Sequence, residues 1–274
     1  MKTLAIVLLA LGMLALAIWL GLRVRPGPLP PFAGQEEAPS AARETMPLPD
    51  GLPAPVARFY RALYGDEVPV RTSAVISGRA RMTIGGITFP ARFRFVHDAG
   101  RAYRHYFELT WFGLPVMRVN ERFVDGAARL ELPVEVTEGE PKVDQAANLA
   151  LWAESLWLPS VYLTDPRVSW EAVDERSAVL AVPWDGGEER LIVRFDEATG
   201  LPRFVESMRY RDAGSEAKSL WVNELLRWGQ VDGRTVPVDA AVTWYEDGWP
   251  WAEFHVDSVV YDADVGEYVR ARGR

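Results

Sequence analysis

The sequence predicts an α+β fold dominated by one large antiparallel sheet, preceded by an amino-terminal transmembrane helix. Three observations support this prediction. Residues Thr3–Leu22 contain no charged side chain. After Gly65, short runs of alternating apolar and polar residues are separated by glycine-containing turns. A single strongly apolar helical segment, Lys142–Leu158, interrupts these runs, and the absence of strand–helix–strand alternation argues against a doubly wound nucleotide-binding fold.

The composition excludes several classes of site. The 274 residues include 11 tryptophans and no cysteine, and the formal net charge is −8. A chain without cysteine has no disulfide, cysteine-ligated metal centre, catalytic thiol or lipid-modified cysteine. Residues 1–50 carry four basic and four acidic groups, so the rest of the chain holds the whole net charge. A surface that binds nucleic acid needs a positive field, so we expect no nucleic-acid partner.

The amino-terminal run is long enough to cross a membrane. As a helix, Thr3–Leu22 would measure about 30 Å, the thickness of the hydrocarbon core of a bilayer. Lys2 precedes it, and Arg23 and Arg25 follow it. A cleaved signal peptide is the alternative, since Ala15–Ala17 has a small-x-small form, but cleavage there would leave an apolar stretch at the new terminus. We predict that residues 1–25 form a single-pass anchor in the cell membrane, with the carboxy-terminal domain outside the cytoplasm.

Residues 26–51 are predicted to be a linker, because they are rich in proline and poor in bulky apolar residues. Proline lacks a backbone donor and pushes the preceding residue towards extended geometry, so this segment would be a semi-stiff spacer. The folded domain is predicted to cover residues 52–274. It begins with a short helix, Pro55–Tyr64, and Gly65 suits the cap of that helix.

The first two strands form a predicted hairpin around Gly85-Gly86, which lies between two runs of opposite phase. Residue 84 then pairs with 87 and residue 79 with 92, so that the apolar side chains share one face. The other face carries four arginines, Arg79, Arg81, Arg92 and Arg94. These could meet anionic lipid headgroups or an anionic polymer, but the favoured interpretation is a solvated face balanced by acids such as Glu108.

The same alternation predicts about eleven strands in all. Those after the hairpin are Tyr103–Trp111, Val116–Val119, Arg129–Val136, Val168–Val173, Ala178–Pro183, Arg190–Phe195, Arg203–Tyr210, Ser219–Trp228, Val236–Tyr245 and Trp251–Tyr261. The helix Lys142–Leu158 is apolar around most of its girth, so we expect it to be covered on more than one side.

Motif searches reveal no enzyme. The sequence has no nucleophile elbow, phosphate-binding glycine loop, zinc-protease helix or calcium loop. Two of its three histidines, His97 and His105, flank a turn at Asp98–Gly100. We expect them at opposite parity relative to the apolar faces of their strands, so no metal ion is predicted between them. The sequence predicts no cofactor and no catalytic residue.

Five residues are predicted to bind a ligand: Trp111, Trp152, Trp157, His105 and Glu154. His105 falls on the aromatic face of its strand, where a ligand contact competes with the favoured interpretation of a core histidine. Glu154 lies in the apolar helix and needs a partner, which we expect to be an arginine or a backbone amide; a catalytic acid of raised pKa is the alternative. The tryptophans either line a cavity for an acyl chain or fill a wide core.

Several stretches resemble a bacterial family classed only as a domain of unknown function. They are Asn148–Pro159, Trp170–Asp174, Met208–Asp212, the opening Leu52–Val56, and Gly233–Pro237 followed by Trp244. The resemblance spans about residues 52–261 and implies no established activity. The layout of this family is similar to the lipoprotein-carrier (LolA-like) superfamily. It therefore implies an unclosed, strongly curved half-barrel sheet that wraps the helix Lys142–Leu158 and leaves an apolar cavity.

The hypothesis from the sequence is a membrane-anchored envelope protein that binds a lipid or another apolar ligand in a half-barrel cavity. One alternative is an envelope enzyme that uses Glu154 as acid or base, with a second polar group within hydrogen-bond reach. The other is a structural module with a packed interior that binds a partner through an exposed apolar patch or sheet edge. The expected partners are the membrane, through Thr3–Leu22, and the apolar ligand; the sequence identifies no protein partner.

Overall fold

A computed structural model describes residues 2–36 and 44–272 of the chain. It contains a two-stranded sheet and a 13-stranded antiparallel sheet whose two edges do not meet. The predicted α+β class with one large unclosed sheet is confirmed. Of the segment predicted as linker, residues 37–43 lie outside the described residues.

The described helices and strands follow one another in this order. The helices are α1 (Lys2–Gly21), α2 (Ala54–Tyr64), α3 (Pro141–Glu154), α4 (Val161–Thr164) and α5 (Gly266–Arg270). Short 3-10 turns cover Ser155–Trp157 and Tyr245–Asp247. The strands are β1 (Thr45–Pro47), β2 (Glu67–Pro69), β3 (Ser73–Ile84), β4 (Ile87–Asp98), β5 (Ala102–Trp111), β6 (Leu114–Val124), β7 (Ala127–Glu131), β8 (Val136–Glu138), β9 (Ser169–Ala172), β10 (Ser177–Trp184), β11 (Gly187–Phe195), β12 (Pro202–Arg209), β13 (Ser219–Val231), β14 (Arg234–Trp244) and β15 (Pro250–Tyr261).

Helix α1 has the length and composition of a membrane span. It comprises 20 residues, an 18-residue window of which has a mean hydropathy of 2.6, and Gly21 is its one buried residue. A helix that is apolar on all sides and exposed along its length needs an apolar environment from outside the domain. A signal sequence passes the same test of length and composition.

The large sheet consists of two meanders joined in its middle. Strands β3 to β8 pair in sequence, strands β9 to β15 pair in sequence, and β3 pairs with β15. Strands β8 and β9 therefore form opposite edges of the sheet. The segment between them, residues 139–168, has to cross one face of the sheet, and it contains α3 and α4.

The sheet curves around α3. This helix contacts β6 on one side and β12 on the other, and these strands are seven places apart in the sheet order. In a flat sheet they would be about 34 Å apart at ~4.8 Å per strand. A helix about 21 Å long and ~10–12 Å thick reaches both only if the sheet bends towards it. The half-barrel architecture is thus a geometric consequence of the contacts of α3.

The sequence of α3 explains its position and its bounds. Pro141 occupies the first turn, where a missing backbone donor is tolerated. All residues from Gln145 to Ala153 are buried, as the apolar pattern predicts. The α-helix ends at Glu154, four residues before the predicted end, where Ser155 donates its hydroxyl hydrogen to the Leu151 carbonyl (2.7 Å) and the chain tightens into a 3-10 turn.

The strands follow the predicted pattern with local differences. The β3–β4 hairpin has the predicted register, with Arg79 opposite Arg92 and Ile84 opposite Ile87. The predicted strand Arg129–Val136 is two strands, β7 and β8, because a turn containing Pro133 separates them. Strand β6 is longer than predicted, and β1 lies inside the segment predicted as linker.

Close contact between β3 and β15 yields the first testable prediction. Gly78 lies opposite Val256, where the register of β15 shifts. A Cβ atom at Gly78 would lie 2.0 Å from the carbonyl oxygen of His255, which is backbone and cannot rotate away. We expect Gly78→Ala to lower the free energy of unfolding by about 1–3 kcal/mol, the usual range for overpacking. The measurement is Tm of the full-length protein in detergent.

The matched control is Gly187→Ala in β11. A Cβ atom there meets its nearest neighbour, the Trp184 carbonyl oxygen, at an ordinary 3.6 Å. Equal Tm values for the two variants would contradict the close approach of β3 and β15.

Candidate functional site

Two histidines lie side by side on the inner face of the sheet. Phe95 of β4 is directly opposite His105 of β5, and His97 is opposite Tyr103. Residues two apart along a strand share a face, so His97 lies on the same face as Phe95 and is a diagonal neighbour of His105. The expectation that the two histidines have opposite parity is wrong, because His97 continues the apolar face of Phe93 and Phe95.

Glu154, at the end of α3, meets both histidines. Its Oε2 atom lies 2.7 Å from Nε2 of His105 and 3.4 Å from Nε2 of His97. The partner of Glu154 predicted from the sequence was an arginine or a backbone amide, and the structure provides two imidazoles. We call His97, His105 and Glu154 the His–Glu cluster.

Burial and charge together set the ionisation of the cluster. His97 is completely buried and the Glu154 side chain is 17% exposed. Burial alone would raise the pKa of Glu154, but the charge of His105 and the contacts with both histidines lower this pKa to about 2. Burial lowers the pKa of His97, and the Glu154 carboxylate acts in the opposite direction. A carboxylate of lowered pKa is the reverse of the catalytic acid considered in the sequence analysis.

Polar groups continue from the cluster across the interior. The Tyr103 ring stacks on His105 with centroids 4.0 Å apart, and its hydroxyl donates to Glu121. Arg209 of β12 lies over the Trp221 ring, 4.5 Å from its centroid, and its Nε atom has no hydrogen-bond acceptor among the described residues. Burial lowers the pKa of Arg209. The interior of the half-barrel therefore combines ionisable groups with aromatic rings.

Trp152 and Trp157, two of the predicted ligand-binding residues, are core side chains. Both are buried in the main hydrophobic cluster, and the Trp157 indole donates to the Pro237 carbonyl (3.1 Å). Trp157 is linked to His105 through Phe95, whose ring contacts both. The structure therefore brings Trp157, His105 and Glu154 into one region and buries both indoles, and a ligand contact of these residues stays a prediction.

Trp111 lies far from this region, at the end of α1. The Phe112 amide donates to the Gly21 carbonyl (2.9 Å), and the Trp111 indole donates to the Ile18 carbonyl (3.4 Å). A Cβ atom at Gly21 would lie 2.0 Å from Nε1 of Trp111, so glycine is required for this close contact. The β5–β6 turn is thus docked on the carboxy-terminal end of α1.

Exposed apolar side chains surround this docking point. Trp111 and Leu114, at the β5–β6 turn, are 37% and 69% exposed. Further exposed apolar side chains at this turn and at the neighbouring β3–β4 turn extend the surface. We call this surface the junction patch; it consists of Ile84, Ile87, Trp111, Phe112, Leu114 and Val116. The tips of β3–β4 and β5–β6 lie at the same end of the sheet because the intervening strands are antiparallel.

A groove of about 970 Å³ lies beside the docking point, and we call it the junction groove. Its charged lining residues are five arginines and two acids: Arg23, Arg25, Arg79, Arg81, Arg227, Asp239 and Glu253. Arg79 pairs with Asp257 (2.6 Å) and Arg81 lies 3.7 Å from Glu253. Among the described residues, no carboxylate oxygen comes within 4.0 Å of Arg23 or Arg25. The groove therefore offers cationic groups next to the end of α1.

The other two hairpin arginines hold the segment that follows α1. Arg92 pairs with Glu108 (2.6 Å), as the sequence analysis expected, and also donates to the Gly27 carbonyl (3.1 Å). Arg94 donates to the Pro30 carbonyl. Phe32 stacks on Tyr268 of α5 with centroids 4.0 Å apart. Residues 27–32 of the predicted linker are therefore held along the outer face of the sheet.

Comparisons with known proteins place the chain in a family. Residues 42–254 match a family described as "Family of unknown function (DUF6544)". No curated protein matches the chain significantly. Among solved structures, the chain is similar to a DUF1329 family protein from Desulfovibrio piger (13% identity, 74% of this chain and 90% of that one, TM-score 0.42). It is also similar to a LolA superfamily protein from Nitrosomonas europaea (6% identity, 75% and 91%, TM-score 0.43).

The packing of Trp157 yields the second prediction. We expect Trp157→Ala to lower the free energy of unfolding by about 3–5 kcal/mol, because it opens a cavity and leaves the Pro237 carbonyl without its donor. Tm would fall by on the order of 10 °C. The control is Trp249→Ala, which removes an exposed indole and should change Tm little. Equal Tm for wild type and Trp157→Ala would mean that this indole is not a packing element.

Proposed function

This chain belongs to the DUF6544 family, whose function is unknown, and we propose that it is a membrane-anchored protein of the cell envelope that binds anionic lipid where α1 meets the sheet. The observation that carries the proposal is the docking of the β5–β6 turn on the end of α1, through the Phe112–Gly21 and Trp111–Ile18 hydrogen bonds. If α1 spans the bilayer, this turn lies at the level of the lipid headgroups.

The junction patch has the composition expected at that level. Tryptophan and phenylalanine are enriched where the hydrocarbon core meets water, since their rings are apolar and the indole also carries a donor. Leu114 and Val116 next to Trp111 and Phe112 would be unfavourable as a permanently hydrated surface. Contact with lipid removes this apolar area from water.

The junction groove supplies the charge complement. Arg23 and Arg25 follow directly after α1, so they would lie among the headgroups and could pair with lipid phosphates. The domain as a whole is acidic, because the residues after position 50 carry the whole −8 net charge. A cationic groove on an acidic domain favours an anionic ligand at this one location.

The strapped linker keeps the domain at the membrane. Arg92 and Arg94 bind carbonyl groups of the segment that begins only a few residues after α1. Proline cannot donate backbone hydrogen bonds, so the carbonyl groups are the polar atoms that this segment offers. These contacts hold the sheet against the end of α1, whereas a flexible linker would leave the domain free to move away from it.

This proposal moves the predicted lipid contact from the half-barrel interior to the junction. Of the five predicted ligand-binding residues, Trp111 belongs to the junction patch, whereas Trp152 and Trp157 are packed in the core. A ligand in the half-barrel and a domain outside the cytoplasm stay predictions. A protein partner on the junction patch is the alternative that the experiment below distinguishes.

The third prediction concerns lipid retention. Full-length protein released from nanodiscs that contain phosphatidylglycerol and phosphatidylcholine should retain phosphatidylglycerol in native mass spectrometry. We expect Arg23→Gln/Arg25→Gln to weaken this retention by roughly tenfold or more, since each arginine near an anionic surface contributes about 1 kcal/mol.

The control for lipid retention is Arg61→Gln/Arg176→Gln, which makes the same charge change at exposed positions away from the groove. It should retain phosphatidylglycerol like the wild type. No preference for phosphatidylglycerol in the wild-type protein, or equal losses in both double variants, would refute the proposed lipid site.

The fourth prediction separates an anchor from a signal peptide. If α1 is an uncleaved anchor, the protein in the membrane fraction should resist extraction by alkaline carbonate, and its intact mass should include residues 2–25. A mature chain that begins after Ala17 would show that the apolar segment is removed.

A further inference from the structure

We propose that His97, His105 and Glu154 bind a divalent transition-metal ion of the zinc class inside the half-barrel. This inference goes beyond the proposed lipid contact and does not depend on it, because the His–Glu cluster and the junction share no residue. No metal was predicted between the two histidines, because they were expected at opposite parity relative to the apolar faces of their strands. The structure places them on one face and adds a carboxylate from α3.

The geometry suits a metal centre. One ligand atom of each of the three side chains lies within 4.8 Å of the others. Zinc binds imidazole nitrogen and carboxylate oxygen at about 2.0–2.2 Å, which puts ligand atoms roughly 3.4 Å apart in a tetrahedron. Glu154 is already 2.7 Å and 3.4 Å from the two imidazoles, so adjustments of about an ångström would close the set around an ion.

The hydrogen bonding of the cluster supports the same conclusion. His97 is completely buried, yet neither of its ring nitrogens has a hydrogen-bond partner among the described residues. Nε2 of His105 and Oε2 of Glu154 are also buried and face each other at 2.7 Å, without the angles of a good hydrogen bond. A buried polar atom without a partner is destabilising by about 1–3 kcal/mol, so the completely buried His97 ring needs an explanation.

A simple ion pair explains only part of the cluster. A single carboxylate pairs well with one imidazole, here His105, and leaves the second imidazole unsatisfied. A metal ion accepts a lone pair from one nitrogen of each imidazole and from the carboxylate at once, so it satisfies both Nε2 atoms and Glu154 together. Two neutral imidazoles with one carboxylate are typical ligands of zinc and of other late divalent metals, whereas calcium and magnesium prefer all-oxygen sites.

The ligand count indicates the type of centre. Structural zinc sites are closed by four protein ligands, whereas catalytic sites have three and keep one position open. The His–Glu cluster supplies three ligands, the number typical of zinc sites that keep one position open. Tyr103, stacked on His105, restricts the orientation of that ring, as the surroundings of metal-binding histidines commonly do.

The test uses the full-length protein in detergent after treatment with a chelator. Titration with Co²⁺, followed by visible absorption, and with Zn²⁺, followed by calorimetry, should give one equivalent per chain. We expect His97→Gln, His105→Gln and Glu154→Gln each to weaken Zn²⁺ binding at least tenfold. His255→Gln should bind like the wild type, because His255 lies outside the cluster and contacts Asp239 instead.

Two results of these titrations would overturn the proposal. One is a folded wild-type protein that binds neither ion in stoichiometric amount. The other is a loss of binding in His255→Gln as large as in the cluster variants. Because Glu154→Gln could unfold the core, circular dichroism accompanies each variant. Zinc-edge X-ray absorption of the wild-type protein provides a readout without mutation, and a first shell that lacks imidazole would also reject the site.

Discussion

The packing of α3 against the inner face of the sheet is the contact on which the rest of the structure depends. The chain leaves one edge of the sheet at β8 and re-enters at the opposite edge at β9, so it has to cross all the strands between. The helix that makes this crossing is buried from Gln145 to Ala153. Without it, aromatic side chains such as Phe95 and Phe107 would face water. The curvature of the sheet follows from the need to bury both surfaces together.

The same packing determines where the chemistry lies. Glu154 is the last residue of α3, so the apolar contacts that fix the helix also fix the position of its carboxylate. The diagonal placement of His97 and His105 is fixed by the antiparallel register of β4 and β5. Three polar side chains are thereby held by a rigid hydrophobic framework. A metal site requires such preorganisation, because its ligands have to be oriented before the ion binds.

At the other end of the molecule, the contact between α1 and the β5–β6 turn links the sheet to the apolar amino-terminal helix. Gly21 allows the Trp111 ring to lie directly on the backbone, and the hairpin arginines bind the carbonyl groups of the following segment. Arg92 and Arg94 therefore hold the segment after α1 on the sheet, a role that their charge alone does not reveal. In the proposed lipid site, Arg23 and Arg25 are the arginines that would pair with lipid phosphates.

Much of this protein was predictable from local sequence patterns. Four features depend only on composition or on periodicity within a few residues. They are the apolar run of α1, the register of the β3–β4 hairpin, the apolar girth of α3, and the pairing of Arg92 with Glu108. The inward position of His97 could also have been predicted from the sequence, because it lies two residues after the inward-facing Phe95. Three long-range features could not be predicted from the sequence. They are the partner of Glu154, the contact of Trp111 with Gly21, and the contacts of the linker with the sheet. The periodicity of the side chains decides the face of the strand or helix on which a residue lies. Distances between segments that are remote in sequence depend on the path of the chain across the sheet and on the curvature of the sheet. Only the tertiary structure fixes that path and that curvature.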